Sequence, residues 1–436
     1  MPRQKTLTRA ILALAWPAIA VNITTPLLSL VDVAVVGHIG NSVYIAAITL
    51  GATMFNTLYW LFGFLRMGTS GLTAQAWGAG DRTECVRVLG RALVIAAVAA
   101  VLMMVLAHPI GTGLLAFLDD GDVAQAPALT YFKIAILGAP GVFVTYALSG
   151  WFLGTQDSRP ILWMALVANT LNIGLNLIFV FGFGLGIRGV AAATAIAQWA
   201  GALFGLVLMW RRLHRIKCRG WRTGLLRWRA MRRLFVINTD IFLRTLCLVA
   251  VTLWFTHAGA GQGVLVLSAN ALLMQLFMLF SYFMDGFAFA GEALAGRFAG
   301  SRNKRLLSGT VRQLAATGLV MALLFTAIYF FGGSLILGLL TDDGQVLAMA
   351  AHYDLWAVAV PLAGFMSFLW DGIYIGLTRT RMMLLCMVAA MVIFFAVYLA
   401  LYGLWQNNAL WLAFILYLAT RSLLQTLLYP RIQSAL

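Results

Sequence analysis

The chain has 436 residues, of which 62% are hydrophobic and only 10% are charged, and its formal net charge is +16. Its mean hydropathy of +0.92 lies far outside the range of soluble globular domains, so we expect an all-α integral membrane protein. Neither a Walker A motif nor a dinucleotide fingerprint occurs, and the five histidines and four cysteines lack metal-ligand spacing. We therefore expect no metal, no cofactor and no enzymatic activity, and we interpret the cysteines as reduced thiols.

Twelve apolar stretches are each long enough to cross about 30 Å of hydrocarbon. Spans 1 to 6 cover roughly residues 9–36, 44–75, 88–112, 127–154, 160–181 and 188–210. Spans 7 to 12 cover roughly residues 234–257, 265–298, 309–334, 346–378, 382–403 and 408–429. The first run is longer than a signal peptide and lacks a small-residue cleavage site, so we expect no cleavable leader.

Lysine and arginine are concentrated on one side of these spans. They precede span 1 and follow spans 2, 8 and 10, whereas the loops GHIGNS, DDGD and TDDGQ contain neither residue, and Arg188 is the main exception. Because cytoplasmic loops carry an excess of positive charge, this pattern predicts that both termini are cytoplasmic.

The most basic segment, residues 211–233, joins spans 6 and 7 and has ten lysines and arginines among its 23 residues. A nucleic-acid patch is one interpretation of such a run. A cytoplasmic linker beside anionic lipid explains it without a further partner, so we favour membrane lipids and expect no nucleic acid.

The two halves of the sequence repeat each other. GLTAQAWGAGDR after span 2 resembles GEALAGRFAGSR after span 8, and SGWFLGTQDSR after span 4 resembles DGIYIGLTRTR after span 10. Each repeat has six spans, an even number, so both have the same orientation. We predict two six-helix lobes, residues 1–210 and 234–436, related by a pseudo-twofold axis along the membrane normal.

Three predicted helices of the first half each carry polar side chains along one face, at helical spacing. The stripes consist of Asn22, Thr25, Ser29 and Asp32 in span 1, of Asn169, Asn172 and Asn176 in span 5, and of Thr194 and Gln198 in span 6. We expect these stripes to line an internal cavity.

Asp32 is an acid within an apolar span. An aspartate at the centre of a membrane helix costs about 2.5–3.5 kcal/mol on insertion scales. One interpretation is a neutral Asp32 that only hydrogen-bonds span 5. The functional one is a carboxyl that faces the cavity, where burial favours its protonated form and allows proton or cation binding. Pro17 and Pro26 predict a kink in span 1, which is either static or different in different states.

Other charges lie at the ends of the spans. Asp240 and Arg244 have the spacing of a structural pair along one helix. Four more charged residues are predicted to form a neutralising network near the cytoplasmic side that latches the two halves, with direct substrate or ion contact as the alternative. These residues are Arg66, Asp285, Glu292 and Asp371.

The sequence resembles the multidrug and toxic compound extrusion (MATE) family, in its DinF-like branch. The resemblance extends over essentially the whole chain, and it is carried by WPAIAVNITTPLLSLVDVAVVGHIG (16–40), FLRMGTSGLTAQAWGAGD (64–81), NTLNIGLNLIFVFGFGLGIRGVAAATAIAQ (169–198) and WDGIYIGLTRTR (370–381). It implies an exporter of cationic or amphipathic compounds that is driven by a proton or sodium gradient. It also implies a multi-pass protein of the bacterial inner membrane.

The resemblance assigns roles to individual residues. Asp32 matches the aspartate of the family's first helix, Pro17 its bending proline, Asn172 its asparagine in span 5, and Thr194 its threonine in span 6. Many members have a second acid where this chain has Asn176. Because sodium favours several oxygens with compensating charge, whereas a proton needs one carboxyl, we favour proton coupling over sodium coupling.

The function we expect is a monomeric antiporter that exports organic cations or amphiphiles by alternating access in exchange for protons. A sodium-coupled exporter is one alternative. A flippase for a lipid-linked precursor is another, although its cavity should be lined with arginine and lysine. A membrane-embedded enzyme or scaffold is disfavoured, because no cluster supplies a nucleophile, base or metal.

Overall fold

A computed structural model describes residues 2–37, 42–118, 122–216 and 223–434. These residues are almost entirely helical and contain no strand. Twelve helical stretches among them are long and apolar enough to cross a membrane. The prediction of an all-α membrane protein with twelve spans is therefore confirmed.

In the first half, several predicted spans are each divided between two helices. The helices are α1 (Pro2–Gly37), α2 (Ser42–Leu61), α3 (Phe64–Gly78), α4 (Arg82–Val105), α5 (Ala107–Leu118), α6 (Asp122–Ala135), α7 (Ala139–Gly154), α8 (Arg159–Leu177) and α9 (Gly186–Ile216). Span 2 is divided into α2 and α3. Span 4 is divided into α6 and α7 just before Pro140, because proline has no amide N–H and fits the first turn of a helix.

The helices of the second half are uninterrupted, and each forms one predicted span. They are α10 (Trp228–Ala260), α11 (Val264–Gly300), α12 (Lys304–Gly338), α13 (Gly344–Gly376), α14 (Thr380–Trp405) and α15 (Asn407–Ser434). Pro361 lies inside α13 without ending it, although the repeat aligns it closely with Pro140. Prolines at corresponding places in the two repeats therefore have different effects: Pro140 lies in the first turn of a new helix, and Pro361 lies within a continuous one.

The repeat is visible in the turns that follow α3, α7, α11 and α13. Each turn has one residue with positive φ: Gly80 (78°), Gln156 (66°), Arg302 (53°) and Thr378 (52°). The amide of the next residue then donates to a carbonyl five residues earlier, which satisfies a free helix end. These bonds are Asp81 to Ala76, Asp157 to Phe152, Asn303 to Phe298 and Arg379 to Tyr374. The same cap thus ends all four helices.

Glycines allow the same close helix packing in both halves. A Cβ on Gly150 of α7 would overlap the carbonyl oxygen of Arg66 in α3, and a Cβ on Gly372 of α13 would overlap that of Ala288 in α11. Backbones approach this closely only where no side chain intervenes. The predicted repeat is thus present in helix packing as well as in turns.

By internal packing the chain divides into two compact units. The N-terminal unit comprises Ala20–Asn238, and the C-terminal unit comprises Met1–Ile19 with Thr239–Leu436. The chain therefore passes from one unit to the other inside α1 and again inside α10. Ile19 accordingly packs over Gly286 of α11, and Asn238 packs over Gly68 of α3.

The boundaries predicted from the sequence, at residues 210 and 234, lie near the end of α9 and near the start of α10, and they do not include this exchange of segments. The lobe boundaries and the axis along the membrane normal remain predictions.

Candidate functional site

Three of the predicted site residues form a chain of hydrogen bonds in the N-terminal unit. Asn176 donates through Nδ2 to Oδ1 of Asn172 at 3.0 Å, one turn earlier on α8. Asn172 donates to Oγ1 of Thr194 on α9 at 3.2 Å, and Thr194 donates to the carbonyl of Val190 at 3.0 Å. Asn172 is 1% exposed and Asn176 is fully buried. The structure brings these three residues together, and we call them the amide chain.

The amide chain has a direction and no formal charge. Thr194 uses its proton on a backbone carbonyl, so its oxygen accepts from Asn172 and the amides follow in sequence. At the other end is the carbonyl oxygen of the Asn176 amide, which is an acceptor. Such an oxygen can accept the proton of a carboxylic acid or coordinate a cation.

Helix α1 continues through both of its prolines, Pro17 and Pro26, which are partly exposed. Asn22 lies between them and is partly buried. The side chains of Thr25, Ser29 and Asp32 lie outside the described residues, although their backbone belongs to α1. The role of Asp32 therefore remains a prediction from the sequence.

The remaining two polar residues of the stripes lie near the amide chain in sequence but are not hydrogen-bonded to it in the described part of the protein. Asn169 is partly exposed on α8. The backbone of Gln198 packs against span 4, where a Cβ on Gly141 would lie 2.8 Å from its carbonyl oxygen. A role for these two residues in the cavity remains a prediction.

In the C-terminal unit, one carboxylate receives two guanidinium groups. Oδ2 of Asp371 on α13 accepts from Arg244 of α10 and, at 2.6 Å, from Arg421 of α15. Its Oδ1 lies 3.3 Å from Nε2 of Gln425, which donates to it. Asp371 is 7% exposed and Arg421 is 3% exposed. We call these four residues the Asp371 cluster.

The predicted pairing of Arg244 with Asp240 is wrong. Arg244 donates to Asp371, whereas Asp240 accepts from the Thr380 hydroxyl at 2.9 Å and lies 3.7 Å from the Arg381 guanidinium. The spacing along α10 allowed the local pair. Partners on α13 and α14 replace it, because they reach the same buried groups from neighbouring helices.

The predicted network of Arg66, Asp285, Glu292 and Asp371 is only partly addressed by the structure. Asp371 has Arg244 and Arg421 as its partners. Glu292 on α11 is buried, with 1% of its surface exposed. Asp285, on the same helix two turns before Glu292, is partly buried. A joint network of the four residues remains a prediction.

Sequence reasoning missed two buried polar groups of the C-terminal unit. Gln425 follows Arg421 by one turn in an apolar span, and that spacing was a usable signal. Asn270 of α11 and Asn407 of α15 exchange two amide hydrogen bonds, at 2.8 and 2.9 Å, and Trp411 donates to the same Asn270 oxygen at 2.9 Å. Only helix packing reveals that pair.

Part of the basic linker is fixed to the N-terminal unit. The nearly buried Arg91 of α4 donates to the carbonyl of Leu225 at 2.7 Å and to that of Gly224 at 3.3 Å, and it pairs with Glu84 at 2.5 Å. A Cβ on Gly90 would lie 2.7 Å from the Leu225 side chain. The turn at residues 223–226 is therefore docked, whereas Arg229 and Arg232 are exposed.

The chain matches the MatE family over residues 17–178 and 240–399. It is 38% identical over 418 residues to DNA damage-inducible protein F of Escherichia coli, covering 95% of this chain and 90% of that protein. It is 24% identical to the probable multidrug resistance protein NorM of Thermotoga maritima, covering 78% and 74%.

The crystal structure of the Vibrio cholerae MATE transporter VcmN in its bent form has a TM-score of 0.88, at 19% identity, covering 100% of this chain and 99% of that one. At this identity the likeness establishes the fold alone. The family and the twelve spans together identify the molecule: the chain belongs to the MatE family and is a multi-pass membrane transporter, not an enzyme.

Proposed function

We propose that the protein is an antiporter of the bacterial inner membrane that exports cationic or amphipathic organic compounds by alternating access in exchange for protons. The name of the NorM relative, a probable multidrug resistance protein, supports the substrate class. The observation that carries the proposal is the amide chain, a continuous and uncharged hydrogen-bonded path through Asn176, Asn172 and Thr194. Both termini are cytoplasmic in this proposal.

Asp32 is the coupling carboxyl in this proposal. Uncharged amides hydrogen-bond a protonated carboxyl without adding charge, so they favour a group that changes protonation during transport. A proton taken up from the outside weakens the hold of Asp32 on a cation, and its release inside restores binding. Exchange of one proton for one monovalent cation moves no net charge, so it avoids the cost of about 2.3 kcal/mol per charge per 100 mV.

Protons are favoured over sodium by the composition of the buried groups. The amide chain holds no acid, and Asp371, one of the buried acids of the C-terminal unit, is already bonded by two arginines. Sodium is a hard cation that prefers several oxygens with compensating negative charge. A site with a single available carboxyl therefore suits a proton better.

Gradient-driven transport in proteoliposomes tests the proposal. The full-length protein is reconstituted, and efflux of a panel of fluorescent organic cations is measured with a proton gradient alone and with a sodium gradient alone. We expect export with the proton gradient. We expect Asp32→Asn to remain folded and to lose it, whereas Asp342→Asn, at an exposed loop position, retains it. Normal export by Asp32→Asn with normal pH dependence would contradict the coupling role.

A second variant separates the two ions. Asn176→Asp places an acid where many members of the resembled family have one, so it should make transport responsive to a sodium gradient. If the wild-type protein itself responds to sodium and not to protons, the sodium-coupled alternative is correct.

A further inference from the structure

We propose that the Asp371 cluster is an oxyanion-binding site, which takes the carboxylate or phosphate group of an organic anion or a lipid. The cluster lies wholly within the C-terminal unit, on α10, α13 and α15. It is separate from the amide chain, and binding of an oxyanion there does not depend on which ion drives transport. The inference therefore goes beyond the proposed function.

The charge of the cluster is not balanced. Two guanidinium groups converge on one oxygen of one carboxylate, which leaves one formal positive charge among buried residues. The other carboxylate oxygen of Asp371 already accepts from Gln425. A buried charge without a counterion is strongly unfavourable, and a second anion would neutralise it.

The described groups bonded to the cluster or nearest to it on α10 do not supply that anion. Among the described residues, Tyr417 and Cys386 also interact with Arg421, and neither side chain is a carboxylic acid. The nearest acid on α10, Asp240, is held by Thr380 and Arg381. The excess positive charge is therefore counted over Asp371, Arg244, Arg421 and Gln425. Glu292, a further buried acid of this unit, lies on α11, which packs against α13.

The cluster also has hydrogen-bond donors to offer. In the described part of the protein, the Nε–H groups of Arg244 and Arg421 are buried and have no hydrogen-bond partner. Buried donors of this kind are rare in proteins and call for a ligand or an ordered water. Arg244, with 10% of its side chain exposed, forms the accessible edge, and Arg421, with 3%, forms the interior.

The chemistry of the donors selects the ligand. A guanidinium group presents a planar fork of N–H groups that matches the two oxygens of a carboxylate or phosphate. Sodium and organic cations would be repelled by the net charge. An amphiphile with an anionic headgroup, or a free organic acid, fits both the charge and the apolar surroundings.

The purified full-length protein in a nonionic detergent tests the site by thermal unfolding. It is titrated with inorganic phosphate and with benzoate, against chloride at equal ionic strength. We expect saturable stabilisation by at least one of the two oxyanions. Nanodiscs of phosphatidylglycerol, compared with phosphatidylcholine, distinguish a lipid headgroup: there the lipid raises the melting temperature and removes the response to the free anion. No stabilisation by any of the three would overturn the proposal.

Two substitutions should act in opposite directions. Arg244→Met leaves a neutral pair of Asp371 and Arg421, so we expect a folded protein with oxyanion affinity reduced about ten- to hundredfold, as for loss of a charged hydrogen bond. Asp371→Asn frees both arginines, so it should bind the oxyanion more tightly and be stabilised more by it. A purely structural cluster would show neither change.

Arg381→Gln is the matched control, because Arg381 is largely exposed and lies outside the cluster. It should bind the oxyanion as the wild type does. If Arg244→Met does not fold, Arg244→Lys keeps the charge but removes the Nε–H donor and the fork, and it should bind more weakly. Unchanged affinity in the folded Arg244 variant would refute the site, whatever the result of the transport assay.

Discussion

The amide chain of the N-terminal unit and the Asp371 cluster of the C-terminal unit differ in formal charge. In the N-terminal unit, Asn172, Asn176 and Thr194 form an uncharged chain of hydrogen bonds. In the C-terminal unit, Asp371 is bonded by Arg244 and Arg421. The amide chain carries no formal charge, whereas the Asp371 cluster joins two guanidinium groups to one carboxylate. The repeat thus preserves turns and helix contacts while the buried chemistry diverges.

The largest expected effect comes from removing the carboxylate of the charged cluster. Asp371→Leu leaves two buried arginines without their counterion, which should destabilise the protein by about 3–5 kcal/mol. The apparent melting temperature in detergent measures it, with Asp342→Asn as an exposed control. Arg244→Met, which leaves a neutral pair, should destabilise less. Equal melting temperatures for Asp371→Leu and the control would contradict the buried-charge interpretation.

The next effect compares the stability cost of filling the equivalent close helix contacts of the two units. Gly150→Ala and Gly372→Ala each force a Cβ onto a backbone carbonyl of the neighbouring helix, and each should cost about 1–3 kcal/mol. Gly332→Ala, a helical position with nothing within 4 Å, should instead stabilise by about 0.5–1 kcal/mol. Thermal unfolding of the three variants compares them. A cost in one unit only would break the symmetry of the packing.

A smaller effect is expected in the amide chain. Asn172→Leu removes the central link, and the Asn176 amide loses its acceptor at 3.0 Å, so we expect a loss of about 1–2 kcal/mol. Thr194 keeps its bond to Val190, which limits the loss. Gradient-driven export should be largely lost, whereas the melting temperature should fall only slightly. Measuring the transport rate and the melting temperature of the same variant tests this. A proportionate loss of both would indicate a structural role only.

The smallest effect is expected in the exposed part of the linker. Arg229 and Arg232 are exposed, so replacing both with glutamine should change stability by less than about 0.5 kcal/mol. Transport per folded molecule should remain normal, although expression or insertion can fall because positive charge is removed from a linker that we propose to be cytoplasmic. Loss of transport with intact topology would give the linker a direct role.

Much of the fold follows from the sequence, for physical reasons that particular residues illustrate. The number of spans follows from the length of apolar runs, and the matching caps at Gln156 and Thr378 lie at the same position of the repeated segments SGWFLGTQDSR and DGIYIGLTRTR. Asn172, Asn176 and Thr194 meet because helical spacing placed them on facing stripes. Local periodicity is sufficient for all of these features.

The rest depends on which helices are neighbours, and local spacing does not contain that information. Asp240 and Arg244 have the spacing of a pair, yet both bond to residues more than a hundred positions away. Gln425 joins Asp371 only because α15 packs against α13. The exchange of segments at Ile19 and Asn238 occurs inside continuous helices, where composition does not change.

That exchange has a consequence for biogenesis. The ribosome completes the first six spans before it makes the stretch of α10 whose Asn238 covers Gly68, so the N-terminal unit reaches its final packing only once synthesis has entered the second repeat. The C-terminal unit, in turn, is complete only when its later helices pack with the start of α1, which is the earliest part of the chain to be synthesised. Neither repeat contains every helical segment of its unit, and a chain cut at residue 227 would yield two fragments that each lack a segment present in the other.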